Sequence, residues 1–537
     1  MLSQKYQDFL KLIVYQVYPR SFHDSNNDGI GDIGGIIQKL DYLKELGVNA
    51  IWICPCYKSP NDDNGYDISD YRDIMDEFGT MQDIKRLISE MHKRDMKVIM
   101  DLVPNHTSTQ HRWFQESRKG KDNPYSDYYY WFDQPINNWG SLFGGSAWAY
   151  DEMRGQYYLH SYAVSQADLN WNNPAVVKEM QDVVDFWVDL GVDGFRCDVI
   201  DQIDKDWQGD RNCFGPRLHE FIHALFGREK TKHLFTVGEC WCDDLEEVKL
   251  HAHWARNELT TLFQFEHTDL GRTEKFTPQP AKLTEVRDVL IKWQNLCQEH
   301  ELIYSLFTDN HDQAQFISRM AHKPQQRYEI ATCVATMFYT LRGIPFIYQG
   351  QELGIISPHY DSIEDFDDIE SKNMFLELCK SMSAQEALEK INFGSRDNTR
   401  HPMCWDDSEF GGFSTVQPWI KPHSMVKELN LKNDLASEKS VYRFYQKLLA
   451  TRSRYHALTL GDVRFLSKAD DNFMITQRTH GDQQLVIVCN FEVSQKIPLP
   501  FRDGLLLLSN YADRMDQNGE YRPFEIAVYQ LSSTSQQ

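Results

Sequence analysis

Lys97–His106 reads KVIMDLVPNH and Gly194–Asp201 reads GFRCDVID. Each is a short, nearly unbroken apolar run that ends in acids beside a histidine or an arginine. A run of this length without polar alternation is a strand covered on both faces, as in a parallel sheet with helices outside it. Six further segments repeat the pattern: LIVYQVYP from Leu12, AIWICP from Ala50, LFTVGE from Leu234, TTLFQFEH from Thr260, YSLFTDNHD from Tyr304 and IPFIYQG from Ile344. Between them lie stretches with helical spacing of apolar residues, such as IIQKLDYLKEL from Ile36, MQDIKRLISEMHKRD from Met81 and AVVKEMQDVVDFWVDL from Ala175. Eight strand–helix units predict an α/β fold closed as a (β/α)8 TIM barrel. A doubly wound open sheet is the rival, but it does not account for polar residues gathering at the ends of so many strands.

The chain departs from a minimal barrel in three places. Residues 105–174, rich in aromatic and turn residues (YSDYYYWFDQPINNWGSLFGGSAW), form too long a connection for a simple loop and predict a subdomain inserted after the third strand. After the eighth strand, Ile355 to about Asn430 carries acidic and loop signals that predict a second elaboration over the same rim. From Ala457 short alternating segments (GDVRFL, NFMITQRT, QLVIVCNFEV, EIAVYQLSS) predict a C-terminal antiparallel β-sandwich domain over 457–537, ending in the polar tail STSQQ. The barrel itself then occupies 1–104 and 175–456.

Composition narrows the function. The 537 residues carry 56 Lys and Arg against 79 Asp and Glu, a formal charge of −23, which repels nucleic acid and anionic membranes. No apolar run reaches the roughly 18 residues of a membrane span, and no signal peptide is evident. The eleven cysteines include no C-x-x-C pair and match neither a zinc ribbon nor a secreted disulfide framework, so they are expected to be free thiols in the cytoplasm. Aromatics make up 13% of the chain, and flat rings are a common means of holding sugars or bases.

The strand ends gather Asp101, His106, Arg196, Asp198, Glu239, His311 and Asp312. In a barrel these converge on one pocket. Several carboxyl groups held among an arginine and two histidines suit acetal hydrolysis, which needs a proton donor for the leaving oxygen and an anion facing an oxocarbenium-like carbon. Arg196, two residues before Asp198, points to the same side of the strand and is expected to lower the pKa of Asp198 and keep it ionised. Glu239, beside Trp241, is expected to stay protonated. The competing reading, that such carboxylates only cap the following helices, does not explain the accompanying arginine and histidines.

DLVPNH, GFRCDVID, VGE (Val237 to Glu239) and DNHD (Asp309 to Asp312), each at the end of a separate predicted strand, resemble the ordered motifs of the retaining α-amylase superfamily of glycoside hydrolases. QADLNW, from Gln166 to Trp171, resembles the marker of its oligo-1,6-glucosidase group. The resemblance spans about residues 12 to 500. It implies Asp198 as nucleophile, Glu239 as general acid/base and Asp312 as the carboxylate that grips and distorts the sugar, with His106, Arg196 and His311 around the glucose. It implies that Asp63 and Tyr66, in DDNGYDI, bind the non-reducing glucose, that Arg400 in SRDNTRHP closes the far side, and that Phe143 and Gln166 line the wall. Such a pocket is blind and predicts an exo-acting α-glucosidase.

Val directly after the nucleophile goes, in this family, with α-1,6 linkages. Here it is Val199, whose branched side chain narrows the entrance where the second sugar sits. The expected activity is therefore removal of terminal α-1,6-linked glucose from isomaltose and isomalto-oligosaccharides, through a covalent glucosyl-enzyme intermediate. Trp241 and Glu370 are candidates for the second-sugar site. The alternatives are a maltase-type α-1,4-glucosidase, a trehalose-6-phosphate hydrolase, and a transglycosylase or sucrose isomerase; a non-catalytic relative would have lost the carboxylates. A small oligosaccharide is the one partner expected of a monomer or weak homo-oligomer.

HDSNNDGIGDIGG contains D-x-N-x-D-G-I-x-D, which places oxygen ligands at Asp24, Asn26, Asp28 and Asp32, a carbonyl at Ile30 and the sharp turn at Gly29. A structural Ca²⁺ or Mg²⁺ is expected there, with no cofactor for catalysis. Gly35 stands where an EF-hand has its bidentate Glu. The same stretch imitates a dinucleotide fingerprint at Gly29, Gly31 and Gly34, but its three aspartates would repel a pyrophosphate.

Overall fold

The computed structural model describes residues 3–320, 324–501, 503–514 and 519–532. The tail STSQQ lies outside them.

Eight parallel strands run in chain order: β1 (Val14–Val17), β2 (Ala50–Ile53), β3 (Lys97–Leu102), β4 (Gly194–Cys197), β5 (Phe235–Glu239), β6 (Thr261–Phe263), β7 (Ser305–Leu306) and β8 (Ile344–Tyr348). β8 pairs back onto β1 through Val14 and Phe346. Between β6 and β7 the ring is closed by side chains: Thr261 Oγ1 donates to Ile303 O at 2.7 Å and Ser305 Oγ to Leu262 O at 2.6 Å. Hydroxyls stand in for the ladder because β7 is only two residues long.

A helix follows each strand on the outside: α1 (Leu40–Leu46), α2 (Met81–His92), α3 (Pro174–Asp189), α4 (Leu218–Phe226), α5 (Leu245–Ala252), α6 (Leu283–Glu299), α7 (Arg327–Tyr339) and α8 (Val441–Arg454). α2 shows how local sequence sets an end: Thr80 accepts from the backbone of Gln82 and Asp83, Asp83 returns a bond to the Thr80 backbone, and Ile84, Leu87, Ile88 and Met91 form the buried stripe. At the start of β4 only glycine fits, since a Cβ on Gly194 would meet Phe235 O at 2.3 Å. The barrel interior is plugged by Trp52, Phe235, Phe263, Phe307 and Phe346. This leaves the C-terminal strand ends as the open face.

Two elaborations stand over that face. In the insertion, Gln166–Asp168 pairs antiparallel with His106–Ser108, beside a three-stranded antiparallel sheet. After β8, helices Ile369–Leu378, Ala384–Gly394 and Asp397–Arg400 form the second.

Beyond α8 comes a five-stranded antiparallel sheet, β9 (Asp462–Phe465), β10 (Phe473–His480), β11 (Gln483–Asn490), β12 (Gly504–Ser509) and β13 (Ile526–Leu531), in the order β9-β10-β11-β13-β12. Side chains alternate between its faces. Met474, Leu485, Ile487 and Val528 join the core of the barrel's helical layer, while Ile475, Val486, Val488 and Tyr529 form a separate core with Ile497 and Tyr521. Tyr521 belongs to a small pair, Gln495–Lys496 with Glu520–Tyr521, that forms the thin second layer. Among the described residues no helix is long and apolar enough to cross a membrane.

Candidate active site

The register of the parallel ladder assembles the site. β4 pairs with β3 so that Arg196 lies beside Asp101, and with β5 so that Arg196 lies beside Val237, two residues before Glu239. The Arg196 guanidinium then reaches three acids. Nη1 donates to Asp198 Oδ1 at 2.7 Å and to Asp101 Oδ1 at 2.9 Å, while Nη2 donates to Glu239 Oε2. Asp101 also accepts from Trp52 Nε1 and Tyr66 Oη, both at 3.1 Å.

A second arginine pair holds the other side. Arg400 Nη2 donates to Asp312 Oδ1 at 2.9 Å. Arg396 Nη2 lies 3.1 Å from Asp63 Oδ1 and 2.7 Å from Asp368 Oδ1, with Nη1 at 3.5 Å from Asp312 Oδ1. Gln166 Nε2 bridges Asp63 Oδ2 (3.0 Å) and His106 Nε2 (3.2 Å). Tyr66 stacks on His311 with centroids 5.3 Å apart, and His311 Nε2 lies 3.0 Å from Asp312 Oδ2.

These groups surround one cavity of about 390 Å³, large enough for a small oligosaccharide's terminal rings. Asp63, Tyr66, His106, Phe143, Asp198, Val199, Glu239, Trp241, Asp312 and Glu370 line it. Arg196, Gln166, His311 and Arg400 stand behind that lining, buried, and act through the side chains they hold. Arg400 thus does not close the far wall. Arg396 does, one helical turn earlier, stacked over Phe143 at 4.9 Å from its ring centre. Trp241 is 46% exposed at the mouth and stacks on Phe265 at 4.1 Å.

The electrostatics differ from the expectation that Arg196 separates the two carboxyls. Burial raises Asp198 well above the ordinary carboxylate range, Arg196 offsetting only part of this. Burial raises Glu239 too, again partly offset by Arg196. The reason is that one guanidinium is shared among three acids. Asp198 and Glu239 interact with each other as well as with Arg196, so they titrate as a pair. At Asp312 burial works in the same direction, but His311, Arg400 and Arg396 outweigh it and hold the carboxyl well below its usual range. Burial lowers His106 to about 4, which leaves it a neutral hydrogen-bonding wall.

The family model described as Alpha amylase, catalytic domain, matches residues 16–461. An oligo-1,6-glucosidase of Parageobacillus thermoglucosidasius is 46% identical, over 97% of this chain and 98% of its own. The chain belongs to the α-amylase family. A trehalose-6-phosphate hydrolase of Bacillus subtilis is 40% identical over 97% of this chain and 98% of its own. The crystal structure of a Bacillus licheniformis trehalose-6-phosphate hydrolase superposes with a TM-score of 0.90 at 38% identity, covering 98% of this chain and 99% of that one.

This α-amylase-family enzyme, a glycoside hydrolase, also uses residues that sequence reasoning passed over. Lys275 and Gln313 line the cavity, Lys275 Nζ 2.5 Å from Glu370 Oε2. Asp201, in the same GFRCDVID run, lines it as well, and burial beside Glu239 raises it to about 7. Asp201 and Arg396 sit within quoted motifs and were findable by their spacing of three from Asp198 and four from Arg400; Lys275 had no sequence signal.

The Asp24–Asp32 loop lies apart from the cavity. Its oxygens accept from their own backbone: Asp24 Oδ2 from Gly29 N at 2.9 Å, Asp28 Oδ1 from Ile30 N at 2.8 Å, and Asp32 Oδ1 from Gly35 N at 2.6 Å. Ser414 Oγ donates to Asp24 Oδ2 at 2.6 Å and Trp419 N to Gly29 O at 3.0 Å, which ties the loop to the second elaboration. Among the described residues no Lys or Arg pairs with Asp24, Asp28 or Asp32; neutral N–H and O–H groups hold their carboxylates, and the all-oxygen donor set fits a hard cation.

Proposed function

We propose that the enzyme removes terminal α-1,6-linked glucose from isomaltose and isomalto-oligosaccharides with retention, Asp198 and Glu239 acting as a pair. Asp198 bonds to the anomeric carbon as the glycosidic C–O bond breaks, and Glu239 gives its proton to the departing sugar oxygen. Glu239 then takes a proton from water, which attacks the glucosyl ester and frees Asp198. The observation that carries this reading is the single guanidinium shared by the two carboxyls. Carboxyls bound to neighbouring nitrogens of one guanidinium suit the separation of about 5–5.5 Å that retaining enzymes use better than the gap of about 6.5–9.5 Å of inverting ones.

Asp63, Tyr66, Asp312 and Arg396 hold the terminal glucose, and the ion pairs behind them block a longer chain. Val199 supports the linkage preference. It lines the cavity with its amide 3.4 Å from Glu239 Oε2, and its backbone takes φ 34°, a strained region for a β-branched residue. The branched side chain is therefore held rigidly where the second sugar enters. A phosphorylated disaccharide fits less well. Six acids line the cavity against the cations Lys275 and Arg396, both ion-paired. Initial rates on isomaltose, panose, maltose and trehalose-6-phosphate test the reading; isomaltose should lead maltose in kcat/KM by at least about tenfold, and equal rates sink the linkage assignment.

The Asp24–Asp32 loop holds a structural Ca²⁺ or Mg²⁺ through Asp24, Asn26, Asp28, Ile30 O and Asp32; its all-oxygen donor set with no ion-paired Lys or Arg supports this. The enzyme works in the cytoplasm as a monomer or weak homo-oligomer, with no nucleic-acid or membrane partner. All eleven cysteines are free and eight are buried, which suits a reducing compartment, and the charge of −23 disfavours polyanions.

A further inference from the structure

On the outer helical layer, away from the sugar cavity, α4 and α5 bring three ligand-bearing side chains together. Ligand atoms of His219, Glu247 and His251 lie within 4.8 Å of one another, the one such His/Cys/Asp/Glu group among the described residues. Glu247 and His251 share a face of α5 at the i, i+4 spacing. His219, from α4, approaches with its Nε2 at 3.0 Å from Glu247 Oε1, and the two imidazoles meet edge to face with centroids 4.6 Å apart.

Two features distinguish this group from an ordinary ion pair. The first is how the rings are held. His219 Nδ1 lies 2.8 Å from Glu258 Oε2, and Glu258 is itself fixed by Arg256 at 2.5 Å. His251 Nδ1 lies 3.0 Å from Glu247 O. His251 Nδ1 is tied to an oxygen acceptor, which leaves its Nε2 with the lone pair, as outer partners do for metal-bound imidazoles; His219 has an acceptor at each nitrogen, Glu258 at Nδ1 and Glu247 at Nε2, so an ion at Nε2 displaces the proton it shares with Glu247. The second is an orphan. His251 is fully buried, and its Nε2 has no hydrogen-bond partner. A buried bare lone pair is unfavourable unless a donor or a Lewis acid meets it.

We propose that His219, Glu247 and His251 form a binding site for a first-row transition ion, Zn²⁺ foremost, with water in the fourth position. Two imidazoles and one carboxylate are the donor set such an ion takes and a hard cation does not. The bound ion clamps α4 to α5. α5 starts at Leu245, directly after the loop that carries Trp241 from Glu239, so the clamp steadies one lip of the cavity without touching the sugar.

The test uses the full chain, stripped with chelator and then titrated with ZnCl₂ by calorimetry and with CoCl₂ by visible and X-ray absorption. His219→Gln and His251→Gln are made separately, because His251 is buried and its variant can fail to fold, whereas His219 is partly exposed. The wild type should bind one more equivalent of zinc than H219Q, or bind it about a hundredfold more tightly, and its Co²⁺ spectrum should report two imidazole ligands. Zinc should raise the melting temperature of the wild type and not of H219Q. Equal zinc stoichiometry and affinity in wild type and H219Q, or an all-oxygen Co²⁺ shell, would overturn the proposal.

Discussion

Buried arginines serve opposite ends of this molecule in different ways. At the barrel mouth, Arg196 and Arg396 face carboxylates: Asp101, Asp198 and Glu239 on one, Asp63, Asp312 and Asp368 on the other. At the seam between the barrel and the C-terminal sheet, Arg452 donates to the carbonyls of Tyr339 and Leu341, both at 2.8 Å, and of Gly343 at 2.5 Å. Arg478 likewise meets the carbonyls of Thr340 and, at 2.9 Å, Gly461. The carbonyls of Tyr339, Thr340, Leu341 and Gly343 lie at and just past the end of α7, where the helix dipole is negative. The seam arginines meet fixed partial charges that never change. Arg196 meets more acids than it neutralises, and burial keeps Asp198 and Glu239 above the usual carboxylate range, whereas Arg396 and Arg400 hold Asp312 ionised. Burial makes a guanidinium a staple in one place and a poise for proton transfer in the other.

The largest effect should come from the mouth. Asp198→Asn should lower kcat on isomaltose by on the order of 10⁴-fold or more and, unlike most core changes, should raise the melting temperature at pH 7. The sign follows from linkage. A carboxyl whose folded pKa is raised stabilises the fold at low pH, and that share is lost as pH rises through the raised value. Removing the titration therefore helps more at pH 8 than at pH 5, and calorimetric scans across that range check it. A melting temperature that falls at every pH would erase the contrast between the two regions.

Arg452→Met should do the reverse. It leaves three buried carbonyls unpaired and should cost about 3–5 kcal/mol in urea unfolding, while kcat per folded molecule holds within about twofold. Loss of activity in the folded fraction would mean the seam and the site are one unit.

Val199→Ala probes the lip of the mouth. Trimming the strained branch should raise the maltose to isomaltose ratio of kcat/KM by about tenfold; an unchanged ratio would place the linkage choice elsewhere, at Trp241 or Glu370. The smallest effect belongs to the loop at Asp24–Asp32. Chelation should lower the melting temperature by a few degrees, restored by Ca²⁺, with kcat at 25 °C unchanged.

Much of this was legible because a barrel converts chain order into geometry. Once eight apolar runs are read as strands, residues at their ends must converge, and Asp198, Glu239 and Asp312 do line one cavity. Gln166 was legible by resemblance, and the structure adds the reason: its strand pairs with the one carrying His106. Arg400 was misplaced by one helical turn, because a motif read as a string does not say which of two arginines faces inward. The closure of the barrel through Thr261 and Ser305 had no pattern to read, since a two-residue strand leaves no periodicity.

By itself the sequence determined the strand and helix repeat, the acids at the strand ends and the oxygen-rich loop, because each is written in contiguous residues. Only the tertiary structure decided that Arg196 divides its charge among three acids, that Arg396 and not Arg400 walls the pocket, and that His219 meets His251. Those outcomes depend on distances between segments far apart in the chain, and electrostatic balance in a buried site turns on ångströms that no spacing along the chain encodes.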